Sequence, residues 1–485
     1  MNDTMTLGEK ITNVLTSIDS FVWGLPLIIL IIATGIYLTI RVHGLQIRHL
    51  GKALKFMVKN EEGGEGEVTS FGALCTALSA TIGTGNIVGV ATAIAAGGPG
   101  ALFWMLVAAL FGMATKYTEG FLAIKYRTID DKGHVLGGPF YYIENGMGRK
   151  WRWLAKIFAF FGVCVGLMGI GTFTQVNGIA SSVQTFFDPN SEWAIHLFGR
   201  DISWYVVITG AVVTLCTALV VIGGIKRIAK VSEVVVPFMA ITYFLFALLL
   251  VICNINMIPT AVVQIVQGAF GFGDAAGTIR AAAGGVLGAM MAAMQNGVAR
   301  GIFSNESGLG SAPIAAAAAK TNDTVRQGLV TMTGTFIDTI IICTMTGISI
   351  IIAGSWAKEG LEGVAITMDA FGQGISFFNP MISEFILMIC LVFFAFTTIL
   401  GWNYYSERCL EYLSNRRHGL VKAYRWLYVL AVFIGPYMTV EAVWTIADIF
   451  NGLMAIPNII ALIALSGVVA RETNAYFKDP LKKRK

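Results

Sequence analysis

The stretch "SATIGTGNIVGVATAIAAGGPG", Ser79 to Gly100, decides the fold of this 485-residue chain. It lies in an apolar segment long enough to cross a bilayer, yet glycines stand at 83, 85, 89, 97, 98 and 100. Glycine costs roughly 1 kcal/mol against alanine in a helix interior. Three of them within seven residues, beside Ser79, Thr81, Thr84 and Asn86, predict a helix that breaks at mid-membrane. Non-helical backbone at that depth survives only when it is buried in protein or lines a polar cavity. Broken helices of this kind hold substrates and ions in secondary transporters. The competing reading is a glycine-rich packing face of small residues.

The rest of the chain agrees with a membrane setting. Hydrophobic residues make up 55% and charged residues 13%, whereas about a quarter of a soluble domain is charged. A spanning helix needs about 20 mostly apolar residues. Such segments fall at 21–40, 71–96, 101–126, 153–187, 203–223, 231–253, 281–310, 328–354, 380–411, 424–436 with a few following residues, and 442–469, which makes eleven. The first is too long for the apolar part of a signal peptide and lacks a basic stretch before it, so it reads as a retained helix.

Lysine and arginine set the orientation of such a chain. One side holds 28 of the 34 basic residues, among them Arg41 to Lys59, Lys226 to Lys230, Arg408 to Arg425 and the tail from Arg471. The other side holds four: Lys10, Arg200, Arg280 and Lys358. This places the N-terminus outside and the C-terminus in the cytoplasm, and it requires an odd number of spans. The net charge of +5 is then a topology signal and no sign of nucleic acid. The seven cysteines are scattered with no CxxC spacing, so neither a disulfide framework nor a zinc site is implied. "EEGGEGE" at 61–67 reads as a cytoplasmic hinge before the broken helix.

A second polar interruption, "GVARGIFSNESGLGSAP", covers Gly297 to Pro313. It sets Arg300, Ser304, Asn305, Glu306 and Ser307 inside an apolar run, with Gly301, Gly308 and Gly310 around them. A charge at mid-membrane costs at least ~2.5–3.5 kcal/mol on insertion scales. Arg300 and Glu306 must therefore be paired or wet, or else form a buried pair that only locks helices together. The first interruption opens the first of ten core spans and the second opens the sixth. Interrupted spans at corresponding places of two five-helix halves point to an inverted repeat with a site between the halves. The division expected is an N-terminal segment 1–70 with an extra helix, repeats over 71–253 and 254–470, and a basic tail 471–485.

The motifs "ALSATIGTGNIVGVATAIAAGGPGALFWM", "ARGIFSNESGLGSAPIAAAAAKT" and "FAFTTILGWNYYSERC" together resemble the alanine or glycine:cation symporter family, the sodium:alanine symporters, over about residues 70–470. The resemblance implies the amino acid–polyamine–cation superfamily. It also implies an all-α integral membrane protein of the leucine-transporter fold, a 5+5 inverted repeat with one extra N-terminal helix. Sodium-coupled uptake of alanine or glycine across the cell inner membrane follows from it.

By the same resemblance, backbone amides of Thr84, Gly85 and Asn86 face the substrate carboxylate. Exposed N–H groups at a half-helix N-terminus favour an anion, which agrees. Phe303 would cover the substrate, Ser304 would offer its oxygen, and carbonyls freed near Gly301–Ser304 would take the ammonium. Gln175 in "GTFTQVN" would reach the carboxylate. Trp402, four residues after Thr398 and so on the same helix face, would cap the side-chain pocket.

Sodium would be held by the hydroxyls of Thr397 and Thr398 and by the carbonyls of Ser79 and Ile82. Two hydroxyls with several carbonyls and no carboxylate cluster suit a monovalent ion better than calcium or magnesium. Against this stands the habit of membrane threonines of bonding to carbonyls one turn back. Lys116 and Glu119, three residues apart, are expected to pair. Asp338 in "TFIDTII" reads as a structural acceptor, with a proton or ion site and a gate as alternatives. The segment 354–374 is expected to fold as an outer lid. The rival of the same fold is proton-coupled through Glu306 or Asp338. A passive channel is a second alternative. An intramembrane enzyme lacks support, because no HExxH, GxSxG or histidine–carboxylate grouping is present.

Overall fold

A computed structural model describes residues 7–59, 63–131, 133–197, 200–273 and 277–479. Part of the glycine- and glutamate-rich hinge at 61–67 and the end of the basic tail lie outside the described residues. All eleven predicted segments are helical. Among the described residues eight helices are long and apolar enough to cross a membrane, and nine when one bent pair is taken as a single span. Two expected spans fall short of that test. His418–Ile434 has only 17 residues, and Val286–Asn305 turns polar from Gln295 onward.

The bent pair is the segment that begins the core. Helix Ser70–Thr81 is capped by the Thr69 side chain, which accepts from the Gly72 amide. It stops at Ile82, whose ψ of 98° is extended. The chain resumes as a π-turn Gly85–Gly89 and a helix Val90–Gly97. The two halves meet at 52°.

The second interruption behaves differently. Helix Val286–Asn305 runs on through Arg300 and Ser304. It ends where Glu306 turns left-handed with φ +57°, and Gly308 and Gly310 follow at φ +88° and +81°. Left-handed backbone costs an L-residue with a Cβ roughly 1–2 kcal/mol, so these glycines carry the turn and Glu306 pays for its place in it.

The segment expected to run unbroken over 153–187 is two helices, Arg152–Met168 and Phe173–Phe187. The break falls at Gly169-Ile170-Gly171, where a Cβ on Gly171 would come within 2.7 Å of Trp402 Cβ. Helix Phe173–Phe187 carries Gln175, and the long helix Pro380–Leu413 carries Thr397, Thr398 and Trp402. The segment read as an outer lid forms a short 3-10 turn Ser355–Ala357 and the helix Val364–Gly374. It lies on the first break, where Thr367 Oγ1 donates to the Ile87 carbonyl at 3.2 Å.

Two antiparallel hairpins decorate the bundle, Thr128–Ile129 with Val135–Leu136 and Ala194–Leu197 with Arg200–Ser203. The largest fully buried side chains, Trp402, Tyr117, Tyr142, Tyr243, Tyr405 and Tyr428, fill the centre. The exposed large residues, such as Leu215, Leu219, Ile241 and Leu245, are apolar as lipid requires.

Candidate functional site

The first break frees two carbonyls. In a helix the amides of Gly83 and Thr84 would close on the carbonyls of Ser79 and Ala80. Here the Gly83 amide is donated to Asn86 Oδ1 at 2.9 Å and the Thr84 amide to Gln175 Oε1 at 3.0 Å. Side chains satisfy the amides, and the Ser79 and Ala80 carbonyls lose their usual partners. Gln175 itself is fixed through Nε2, which donates to the Ile170 carbonyl at 3.0 Å and to Thr174 Oγ1 at 3.3 Å.

The second break does the same. The Ser307 amide is donated to Asn305 Oδ1 at 2.9 Å and the Gly308 amide to Glu119 Oε1 at 3.2 Å. The carbonyls of Phe303 and Ser304, which those amides would otherwise close on, are released. The Glu306 amide still reaches the Ile302 carbonyl at 2.8 Å. The expected range of freed carbonyls, Gly301–Ser304, therefore narrows to its last two members.

The two breaks face each other. A Cβ placed on Gly85 would lie 3.1 Å from Ser304 Cα and 3.4 Å from Phe303 Cδ1. On the far side of the same turn, a Cβ on Gly83 would lie 2.5 Å from Thr398 Oγ1 and 2.8 Å from Gln175 Oε1. Only glycine lets the helix carrying Thr398 and the helix carrying Gln175 come this close to the first break. Thr84, Asn86, Gln175, Phe303, Ser304, Thr398 and Trp402 are all buried.

Of the four residues assigned to sodium, two are in direct contact. Thr398 Oγ1 donates to the Ile82 carbonyl at 3.1 Å and to the Phe394 carbonyl at 3.0 Å. Ser79 lies one turn before Ile82, with the released carbonyl described above. Thr397 turns aside: its hydroxyl donates to the Phe394 carbonyl at 3.0 Å and lies 3.5 Å from Met239 Sδ. Both hydroxyls thus reach the Phe394 carbonyl, and that of Thr398 meets the first break as well.

Phe303 packs its ring on Trp444, centroids 4.8 Å apart. Arg300 lies 4.8 Å over Trp444 and pairs with Asp448 at 2.8 Å. Trp402 is brought to the second break through Glu306. Its Nε1 donates to Glu306 Oε1 at 2.7 Å, while Ser311 Oγ donates to Oε2 at 2.6 Å. Glu306 and Arg300 are thus each paired, but with other partners. Glu119 likewise does not form the expected ion pair with Lys116. Its Oε1 gathers the amides of Gly308 and Gly310 and Nδ2 of Asn458, holding the second turn in shape.

One residue joins both breaks. Asp338 Oδ1 accepts from Asn86 Nδ2 at 2.6 Å, and its Oδ2 accepts from Ser304 Oγ at 2.9 Å and from Thr339 Oγ1 at 2.7 Å. It sits in a π-helical stretch, Phe336–Cys343, which swings it inward. A lone acid in an apolar run flags it in the sequence; that its partners are Asn86 and Ser304 is a matter of tertiary structure. Asp448, on helix Val440–Lys478, carries the same flag as the one acid of the span 442–469, and the sequence reading misses it, whereas Trp444 and Asn458 on that helix carry no flag.

At the Glu67 end of the first broken helix lies a second ionic knot. His134 presents Nδ1 to Glu67 at 2.9 Å and Nε2 to Glu411 at 3.0 Å. Arg408 reaches Glu411 at 2.6 Å and Glu67 at 3.6 Å. The Glu411 and Glu67 carboxylates hold the imidazole pKa up at about 9. Burial pushes Glu67 upward, but His134 and Arg408 outweigh it and its pKa lies below the ordinary value. Arg127 ties the same region, donating to the carbonyls of Glu65, Ala317, Ala319 and Thr321.

Comparison with known proteins bears on this geometry. A family model described as the sodium:alanine symporter family matches residues 8–485. An uncharacterized transporter of Haemophilus influenzae is 53% identical over 469 residues, 96% of each chain. A sodium/alanine symporter of Methanococcus maripaludis, AgcS, is 46% identical over 473 residues, 96% of this chain and 97% of that one. Among solved structures, MhsT in complex with L-phenylalanine superposes with a TM-score of 0.53 at 13% identity, covering 85% of this chain and 99% of that one. At that identity the likeness concerns the fold alone, which is of the leucine-transporter type.

Proposed function

We propose, from the premise that this chain belongs to the sodium:alanine symporter family and is a multi-pass membrane transporter and no enzyme, that it imports a small neutral amino acid, alanine or glycine, together with sodium. The observation that carries the proposal is the meeting of Thr398 Oγ1 with the Ile82 carbonyl beside two mutually facing helix breaks. Sodium is a hard cation and takes oxygens. Thr398 Oγ1, the Ile82 carbonyl and the released Ser79 carbonyl supply them, with Thr397 as the outlying member of the set. The substrate carboxylate takes amides of Thr84, Gly85 and Asn86, where it must displace or share Gln175 Oε1. The ammonium takes the released carbonyls of Phe303 and Ser304. Phe303, whose Cδ1 lies 3.4 Å from where a Cβ on Gly85 would stand, limits the size of the substrate side chain.

The two halves, 71–253 and 254–470, act as the repeats that rock about this site, with 1–70 an added segment and 471–485 a tail. The N-terminus lies outside and the C-terminus in the cytoplasm, on the strength of the basic-residue asymmetry. One sodium ion crossing ~100 mV releases about 2.3 kcal/mol, enough for roughly a fifty-fold substrate gradient at about 1.4 kcal/mol per tenfold. Labelled alanine uptake into proteoliposomes, with and without an inward sodium gradient, tests the reading. Uptake that ignores sodium at fixed pH overturns it.

The proton-coupled alternative has an observation of its own. Asp338 is a fully buried carboxylate held between the breaks by Asn86 and Ser304. Uptake driven by a pH gradient in the absence of sodium would favour it.

A further inference from the structure

Away from the transport site, the end of helix Trp204–Val221 and the first half of helix His418–Ile434 enclose a cavity of about 330 Å³. Its wall is apolar, from Ile222, Val421, Trp426 and Val429, and its mouth carries His418, Lys422 and Arg425. Arg425 is already neutralised, since Nε and Nη2 each lie 2.7 Å from the Glu407 carboxylate. Lys422 and His418 are exposed, and neither makes an ion pair with the described residues. Arg416 and Arg417 precede His418 in the chain, and Lys226 and Arg227 follow the neighbouring helix end. Lys422 therefore brings to this mouth a positive charge that no ion pair among the described residues offsets.

The cavity opens towards lipid. Trp426 is 59% exposed and Ile222 56% exposed, and the next turn of the same helix face continues with Leu430. Within a bilayer an apolar wall of this kind is covered by acyl chains. A ring such as Trp426 sits best where hydrocarbon meets headgroups. Above it, an uncompensated ammonium draws an anionic headgroup, and basic pockets between membrane helices recognise such lipids.

We propose that this cavity binds an anionic phospholipid, with its phosphate on Lys422 and His418 and an acyl chain along Trp426 and Ile222. A zwitterionic lipid of the same tails fits the wall but gains less at the mouth. A free phosphate gains the mouth without the wall. One uncompensated basic side chain at a membrane surface favours an anionic lipid by about fivefold. The proposal rests on the membrane-spanning fold and is independent of which ion or amino acid is carried.

The full-length protein in mixed micelles is titrated with brominated phosphatidylglycerol or brominated phosphatidylcholine, and the part of tryptophan quenching that disappears in Trp426→Phe is read. Phosphatidylglycerol is expected to quench that part at about fivefold lower mole fraction. Lys422→Gln with His418→Gln should abolish the difference while leaving phosphatidylcholine quenching unchanged. Lys422→Gln alone should remove most of it, should the double variant fail to fold. Millimolar inorganic phosphate should not reverse the quenching. Equal quenching by the two lipids, a preference that survives Lys422→Gln, or displacement by inorganic phosphate would each overturn the proposal.

Discussion

Replacing Thr398 by valine keeps the shape and branching of the side chain and removes one oxygen. In the wild type that oxygen lies 3.1 Å from the Ile82 carbonyl and 3.0 Å from the Phe394 carbonyl. Two oxygens about 3.1 Å apart form a fitting edge for a cation of calcium-like size, whose oxygen distances are about 2.3–2.6 Å. Losing a neutral group's bond to a charged one costs about 1.5–3 kcal/mol. At about 1.4 kcal/mol per tenfold, sodium affinity should fall by roughly ten- to a hundredfold. Thr397→Val is the internal comparison, because that hydroxyl shares the Phe394 carbonyl with Thr398 but turns to Met239 Sδ at 3.5 Å where Thr398 turns to the Ile82 carbonyl. Its effect should be threefold or less, about what a neutral bond of ~0.5 kcal/mol supplies. The assay is initial alanine uptake in proteoliposomes over a sodium series at fixed potential and pH, giving half-saturation for each variant. Equal shifts in the two variants, or none in Thr398→Val, would refute the placement of the ion between the first break and helix Pro380–Leu413.

Other substitutions probe the remaining parts. Phe303→Ala should admit leucine and valine relative to alanine, because the ring covering Gly85 is removed, and competition by a panel of amino acids reads this out. Trp402→Phe should keep the rank order but lower thermal stability by about 1.5–3 kcal/mol, since the buried Glu306 carboxylate loses its indole donor. The His134 imidazolium, with its pKa raised to about 9, adds stability that is complete below its unfolded pKa of about 6.5 and fades as pH rises through about 9. After solvent screening the contribution is of order 1 kcal/mol, and His134→Gln should flatten the alkaline limb of a stability–pH profile. A cysteine at Glu362 should react with an impermeant thiol reagent outside intact cells, and one at Arg417 should not.

The first break is legible because the signal is local. Gly83, Gly85, Thr84 and Asn86 sit together, and the turn they make satisfies its amides from within a few residues and from Gln175. The second break is legible in place but not in detail. The charged residues from Arg300 to Glu306 announce an interruption, yet helical hydrogen bonds persist to Asn305 because Arg300 finds Asp448, 148 residues away. The break at Gly169 and Gly171 escapes a sequence reading although Thr172, Thr174 and Gln175 follow it at once, because a few small polar residues in a long apolar run also suit an unbroken membrane helix. Thr397 and Thr398 look equivalent in sequence, and only the rotation of the helix separates them. Pairings such as Trp402 with Glu306, or Asp338 with Asn86 and Ser304, join residues whose types alone allow many partners.

Both breaks solve the same energetic problem by the same means. An unwound membrane helix leaves amides and carbonyls that cost several kcal/mol each if unpaired in hydrocarbon. Here the amides go to side chains, to Asn86 and Gln175 at one break and to Asn305 and Glu119 at the other. The carbonyls are what remains, so each break presents acceptors that have lost their helical partners, oxygens of the kind a hard cation takes. Asp338 then couples the two, since it holds Asn86 beside one break and Ser304 beside the other. Outside this centre stand two ionic groups, Arg300 with Asp448 and His134 with Glu67 and Glu411. Alternating access opens one end at a time. A carrier of this kind must part contacts towards its ends and keep its centre, and the centre here is tied by Asp338 to both breaks through hydrogen bonds of 2.6 and 2.9 Å.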